Sequence, residues 1–238
     1  MLFEWNDETI GYYSRAAEYT GYFRELAALA APALSRSDAV LDVGCGAGLI
    51  DMELARSVRS VTAVDHSEKA IEYLRAESAR RGIKNISPVL CGADEYGGAG
   101  YDILLLCFFG DPGEGMKRLI DGARRGAVIM THADDTDKSR SALGRDIKKV
   151  FASEVRAFLG AAGYGFEERV ATLDFSQPFT SEGDALKFFE LYSLESDAAA
   201  RREAAKRRMA ELVPASAPYA LMLPKERRTS VFTVVADR

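Results

Sequence analysis

Val40-Leu41-Asp42-Val43-Gly44-Cys45-Gly46-Ala47-Gly48 is the stretch that organises this sequence. Ala39 to Val43 is a short apolar run stopped by glycines, which predicts a buried strand. Gly48 to Val58 turns helical, with Leu49, Met52, Leu54 and Ala55 on one side. Three glycines at alternate positions therefore join a strand to a helix. Such a turn lets backbone approach a ligand with no Cβ in the way, and the helix N-terminus offers unpaired N–H groups.

Working downstream, Ser60 to Asp65 predicts a second buried strand, and Ser67 the N-cap of a helix carrying Ala70, Ile71 and Leu74 inward. Gly82 stands where a left-handed cap would close that helix. Ile86 to Cys91, Tyr101 to Phe109 and Gly126 to His132 read as strands three to five, with a helix at Met116 to Ala123 between the last two. Upstream, Glu8 to Leu34 reads as one or two helices closed by Pro32. Beyond Ala133 the expected elements are helix Asp146 to Ala162, strand Phe166 to Phe175 and helix Asp184 to Tyr192. Helix Asp197 to Leu212 and strand Thr229 to Ala236 follow. Apolar strands alternating with helices predict a parallel sheet covered on both faces, a doubly wound α/β fold.

Composition narrows the function classes. Lys and Arg total 31 against 36 for Asp and Glu in 238 residues, a net charge of −5. That weighs against bulk nucleic-acid binding. No apolar run reaches the roughly 18 residues that span a bilayer, and the first residues do not read as a secretory signal. The three cysteines, Cys45, Cys91 and Cys107, have no C-x-x-C spacing, which fits a reducing, cytoplasmic setting.

Two acids narrow the ligand. Asp65 ends the second strand 21 residues after Gly44, the interval at which an acid can hydrogen-bond both hydroxyls of a ribose. Asp42 lies two residues before the first glycine and would oppose a pyrophosphate on the same loop. Like charges about 4 Å apart cost around 1 kcal/mol in water and several times that near a protein surface. An ammonium would be welcome there. Adenosine at one end and an amino acid at the other satisfy both acids, a description that fits S-adenosylmethionine.

On these residues the sequence resembles the class I S-adenosylmethionine-dependent methyltransferases, most closely from Ala39 to Ala133. The resemblance implies a mostly parallel seven-stranded sheet with an antiparallel last strand around Val231 to Val235. It implies one domain, with a helical cap at 1–36, a cofactor-binding core at 37–133 and substrate-side insertions at 134–238. Asp42, Gly44, Cys45, Gly46 and Gly48 match the family's glycine-rich motif, and Asp65 its ribose-binding acid, with His66 beside the adenine. The segment Gly92-Ala93-Asp94-Glu95 corresponds to the adenine contact, through Ala93 and Asp94. Cys107 and Phe108 end the fourth strand, where the methyl group would sit.

The implied reaction is in-line transfer of a methyl group to oxygen, nitrogen or carbon of a small molecule, in which positioning supplies most of the rate. The Asn/Asp-Pro-Pro-aromatic tetrad of amino-methylating nucleic-acid members is absent at Leu106 to Pro112. Phe109, Tyr13 and Tyr19 are candidate substrate-side aromatics, the tyrosines from a cap that would also supply cation–π attraction to the sulfonium. His132 is a candidate general base with a pKa near neutrality. Asp134, Asp135 and Asp137 follow it, but carboxylates at loop spacing are ordinarily solvated, and no metal is expected. Arg201, Arg202, Lys206, Arg207 and Arg208, with Lys225, Arg227 and Arg228 beyond, could touch an acidic substrate, a tRNA or a partner; a solvated helix face is the ordinary reading. An NAD-linked reductase, a nucleic-acid methyltransferase and a non-catalytic cofactor-binding protein are the alternatives.

Overall fold

The computed structural model describes residues 5–98, 100–134 and 149–235. Its main sheet has seven strands: β1 (Ala39–Val43), β2 (Ser60–Asp65), β3 (Ile86–Leu90), β4 (Ile103–Cys107), β5 (Gly126–His132), β6 (Gly165–Asp174) and β10 (Glu226–Val235). They lie in the order β3-β2-β1-β4-β5-β10-β6. Neighbours from β3 to β5 pair in parallel, while β10 runs antiparallel to both β5 and β6. The antiparallel last strand is as expected; it begins three residues earlier than the apolar pattern, because Glu226 and Arg228 interrupt that pattern without interrupting the pairing.

Central strands are predominantly apolar because both faces are covered. In β4, Leu104, Leu105 and Leu106 are all buried, as are Ala127 to Met130 in β5. Each fully buried leucine or isoleucine stabilises by about 1.5–3 kcal/mol. Even- and odd-numbered side chains split between two cores. Val40, Ile103, Leu105, Val128, Met130 and Val231 face the N-terminal helices, whereas Leu41, Leu104, Ile129 and Phe232 face α5 (Glu114–Gly122) and α6 (Ala152–Ala161). β6 is the edge strand and alternates accordingly, with Val170 half exposed.

The N-terminal segment forms two helices, α1 (Asp7–Thr20) and α2 (Tyr22–Ala30). Gly21, at φ +72°, ends the first and starts the second. Asn6 and Thr9 cap α1 reciprocally, side chain to backbone, at 2.9 Å each way. α3 (Leu49–Leu54) is shorter than its apolar pattern suggested. In α4 (Glu68–Arg80) the Ser67 hydroxyl accepts from Ala70 N–H, the expected cap.

Past β6 the chain adds what the pattern did not announce. β7 (Gln177–Phe179), β8 (Val213–Pro214) and β9 (Leu221–Leu223) form a second, antiparallel sheet. Strands of two and three residues, two of them holding a proline, carry no readable alternation. α7 (Glu182–Leu191) and α8 (Ala198–Arg208) pack beside it over Phe179, Phe188 and Phe189. Tyr12 and Arg15 of α1 both bind Asp184 of α7, tying the N-terminal helices to this layer. The helix expected from Asp146 starts at Ala152, and residues 146–148 lie outside those described.

Candidate functional site

Strand order reverses between β1 and β4, and in open α/β sheets ligands bind at the carboxyl ends of the strands at such a point. Gly44 and Cys45 N–H both donate to the Val64 carbonyl, at 2.8 and 3.0 Å, pinning the bend after β1 to β2. Gly44, Gly46 and Gly48 have φ of +77°, +53° and +68°. Each also has a neighbour where a Cβ would stand: the Phe109 ring on Gly44, the Trp5 indole on Gly46, Leu74 on Gly48. Internal packing thus accounts for all three glycines, and the acids around them carry the argument for a ligand.

Asp65, at 6% exposure, joins three strand ends. One carboxylate oxygen accepts from Gly46 N–H at 2.8 Å and the other from Ser67 N–H at 2.8 Å. Its main-chain carbonyl accepts from Cys91 N–H, which draws the segment after β3 alongside. Each carboxylate oxygen keeps a further lone pair for a hydroxyl donor. His66 stands half exposed with Nδ1 3.4 Å from Asp65. Ala93 is half-buried and its carbonyl accepts from Arg118, whereas Asp94 is exposed.

Asp42 differs from expectation. Its side chain is fully buried beneath the bend, so a ligand seated on the loop does not touch it. Beside it lies Asp51 of α3, equally buried, and the four carboxyl oxygens have no other N–H or O–H partner among the described residues. Burial, and then the Asp51 carboxyl, hold Asp42 well above the usual carboxylate range; burial pushes Asp51 up to about 7. Two such groups so close and so deep do not both ionise readily, and burial holds the pair toward its protonated form. Sequence reasoning passed over Asp51; the available signal was an acid inside the apolar run Leu49-Ile50-Asp51-Met52.

Beyond β4 the chain bends through Phe108, which has φ +55° without being glycine. Its ring lies 5.1 Å from the His132 imidazole at the end of β5. Cys107 points to the same side as Asp42, and burial together with Asp42 and Asp51 raises its thiol pKa, so the thiol stays protonated. His132 corrects a second expectation. Burial, then the positive charges of Arg227, Lys149 and Lys225, lower it to about 4, so at neutral pH it is uncharged and a weak base. Of the acids after it, Asp134 binds Arg156 and Ser153 N–H, while Asp135 and Asp137 lie outside the described residues.

Arg227 supplies the positive charge beside His132. On β10 it stands two residues before Thr229, which pairs directly with His132. Its guanidinium carbon lies 3.7 Å from the Phe175 ring centroid, 5.3 Å from Tyr22 and 5.9 Å from Tyr13. Tyr13 also meets Trp5 at 5.3 Å, so one aromatic wall runs from the glycine bend to β10. Tyr19 is not part of it. Its hydroxyl meets Met222 and Ser216 N–H, and its ring packs on Tyr219. The basic residues of α8 are in part internally paired, Lys206 with Glu203, Arg208 with Glu211 and Arg202 with Glu190.

Comparison with known proteins agrees with this geometry. Residues 40–118 match the family model described as a methyltransferase domain. A segment of 52 residues is 40% identical to the probable cobalt-precorrin-6B C(15)-methyltransferase (decarboxylating) of Methanocaldococcus jannaschii, covering 22% of this chain and 28% of that protein. The chain therefore spans under a third of that relative's length. Among solved structures, the YcgJ protein of Bacillus subtilis superposes with a TM-score of 0.61 at 12% identity, over 92% of this chain and 99% of that one. A SAM-dependent methyltransferase from Aquifex aeolicus gives 0.59 at 15% identity, over 99% and 100%.

Proposed function

We propose that this chain, whose residues 40–118 match a methyltransferase-domain family model, is a class I S-adenosylmethionine-dependent methyltransferase that transfers the methyl group of S-adenosylmethionine to a small organic acceptor. The observation that carries this reading is Asp65, fixed to Gly46 and Ser67 at the switch point with lone pairs left for a ribose. The buried Asp42–Asp51 pair fits the same group. Its carboxyl oxygens, without a cation partner among the described residues, stand under the bend where a sulfonium and an ammonium would lie, and a positive charge there would favour their ionised form. When bound, the cofactor supplies an electrophilic methyl carbon. Asp65 holds the ribose, and Ala93 with Asp94 borders the adenine.

The rings of Trp5, Tyr13, Phe108 and Phe109 gather around the bend and the end of β5. Orientation carries the chemistry, because a displacement of this kind needs its nucleophile held in line about 3 Å from carbon. His132, lowered to about 4, borders the acceptor as a neutral ring and does not remove its proton at neutral pH. An acceptor already ionised, or one that loses its proton to water, suits the site. Among the described residues no helix is long and apolar enough to cross a membrane, and the free cysteines support a cytoplasmic setting.

Titration calorimetry with S-adenosylhomocysteine tests the reading. One molecule should bind per chain, and Asp65→Ala should weaken it by about 1–3 kcal/mol, the scale of a lost buried polar partner. Equal affinity in the two proteins removes Asp65 from the site.

A further inference from the structure

A guanidinium taken out of bulk water needs an anion, and Arg227 has none among the described residues. It is half-buried, yet no described carboxylate forms an ion pair with it, and its near neighbours are the rings of Phe175, Tyr13 and Tyr22. Aromatic faces compensate only part of the lost hydration, less than an unpaired buried ion costs. Lys225, two residues away on the approach to β10, likewise forms no ion pair with a described residue. Its ammonium is pushed well below its ordinary range by burial, then by Arg227, Lys149 and Arg208. Positive charges crowded together in this way are what a binding site for an anion looks like before the anion arrives.

Position says which anion. β10 runs antiparallel to β5, so its first residues lie at the carboxyl edge where β4 and β5 also end. Arg227, Thr229 and Val231 alternate onto the face that carries Met130, Val128 and the N-terminal helices. His132 and Cys107, on that face, both feel the charge of Arg227. Asp42, Asp51 and Asp65 gather instead at β1 and β2, on the far side of β4. A cation of the cofactor fits the acidic end. The basic end stands beyond the fourth strand, on the acceptor's side of the methyl group.

We infer that the methyl acceptor is itself an acid, a small organic molecule whose carboxylate or phosphate pairs with the Arg227 fork and the Lys225 ammonium while its ring or chain lies along the half-buried Tyr13. This rests on the methyltransferase reading for the word acceptor, but the anion site stands on Arg227 and Lys225 alone. A guanidinium meets an oxyanion through two parallel hydrogen bonds, and that fixes the orientation of the rest of the molecule. Holding one end of the acceptor at β10 would aim the other end back toward β4. Specificity and alignment then come from the same contact.

Thermal-shift titrations with paired probes test it: benzoate against benzamide, 4-hydroxybenzoate against 4-hydroxybenzamide, succinate against succinamide, and phenyl phosphate against phenol. Each pair is run on the full chain with and without saturating S-adenosylhomocysteine. At least one acid should stabilise the protein at a concentration tenfold or more below its neutral twin. Arg227→Gln should abolish that preference while leaving the shift given by S-adenosylhomocysteine alone unchanged, and Arg227→Lys should keep part of it. Should Arg227→Gln not fold, Lys225→Met carries the test and is expected to weaken the same acid at least threefold. Neutral twins that match the acids in every pair overturn the inference, as does an acid preference that survives both Arg227→Gln and Lys225→Met. Loss of the S-adenosylhomocysteine shift in Arg227→Gln overturns it too, by placing the guanidinium on the cofactor's own carboxylate. If wild-type protein ignores S-adenosylhomocysteine but still prefers the acids, the methyltransferase reading fails and the anion site stands.

Discussion

Buried charge at β1 and β2 is negative: Asp42, Asp51 and Asp65 crowd the glycine bend. Three strands along the same edge, at the start of β10, it is positive, with Arg227 against aromatic rings and Lys225 two residues before it. Neither end neutralises the other, although a fold seeking only stability would bring such groups together or replace them with apolar ones. The separation teaches that each end is built for a ligand charge of the opposite sign. Burial, and then the nearby positive charges, makes His132 lose its proton readily, whereas burial, and then the acids, keeps the thiol of Cys107 protonated.

The largest way to break the contrast is to destroy the bend itself. Gly44→Val forces a β-branched residue to φ +77° and into the Phe109 ring, and should cost about 3 kcal/mol or more by urea denaturation. A stability change under 1 kcal/mol would mean that the ring moves freely. Next comes Asp65→Ala, with its loss confined to S-adenosylhomocysteine and no effect on the acid probes that report Arg227. Parallel losses in both would merge the two ends into one site.

The Asp42–Asp51 pair sharpens the acidic side through pH. Its carboxyls titrate above their unfolded values, so the native state holds the extra proton, and its contribution to stability is lost as pH rises from about 4 through about 7. Asp51→Asn removes that titration. Unfolding free energy of wild type minus variant should fall by about 1–2 kcal/mol between pH 5 and 8, and a flat difference would show that the pair is not buried as described. The smallest effect concerns the basic side. An NMR titration should find the His132 imidazole still neutral at pH 5.5. A midpoint near 6.5 for His132 would mean that it is neither buried nor under the charge of Arg227 as described.

Much of this was legible in the sequence for a local reason. β2 and β5 are bounded as their apolar runs predict, since a strand covered on both faces has nothing but apolar residues between its polar ends. Ser67 and Gly82 close α4 because caps are set by residues adjacent in the chain. Asp65 could be placed by spacing, since one helix of fixed rise separates it from the bend. Asp42 was identified as a relevant acid, but its depth was not: burial depends on Asp51 and on the loop that folds across it. Tyr19 and Tyr13 look alike in an aromatic helix, and only the arrival of β9 and β10 against α1 sends one to Met222 and the other to Arg227.

What the sequence determined by itself, then, was the alternation of strand and helix, the bend after β1 and the acid that ends β2, all carried by contacts within a few turns of chain. Tertiary structure alone decided the charges. Arg227 lies in a basic stretch that reads as a solvated surface, yet strand pairing with β5 carries it inward to His132. Lys225 and Asp51 were likewise ordinary surface types until packing removed their water. Proton affinity and the cost of an unpaired charge follow from what surrounds a group in space, and for these residues the surroundings arrive from strands and helices far away in the chain.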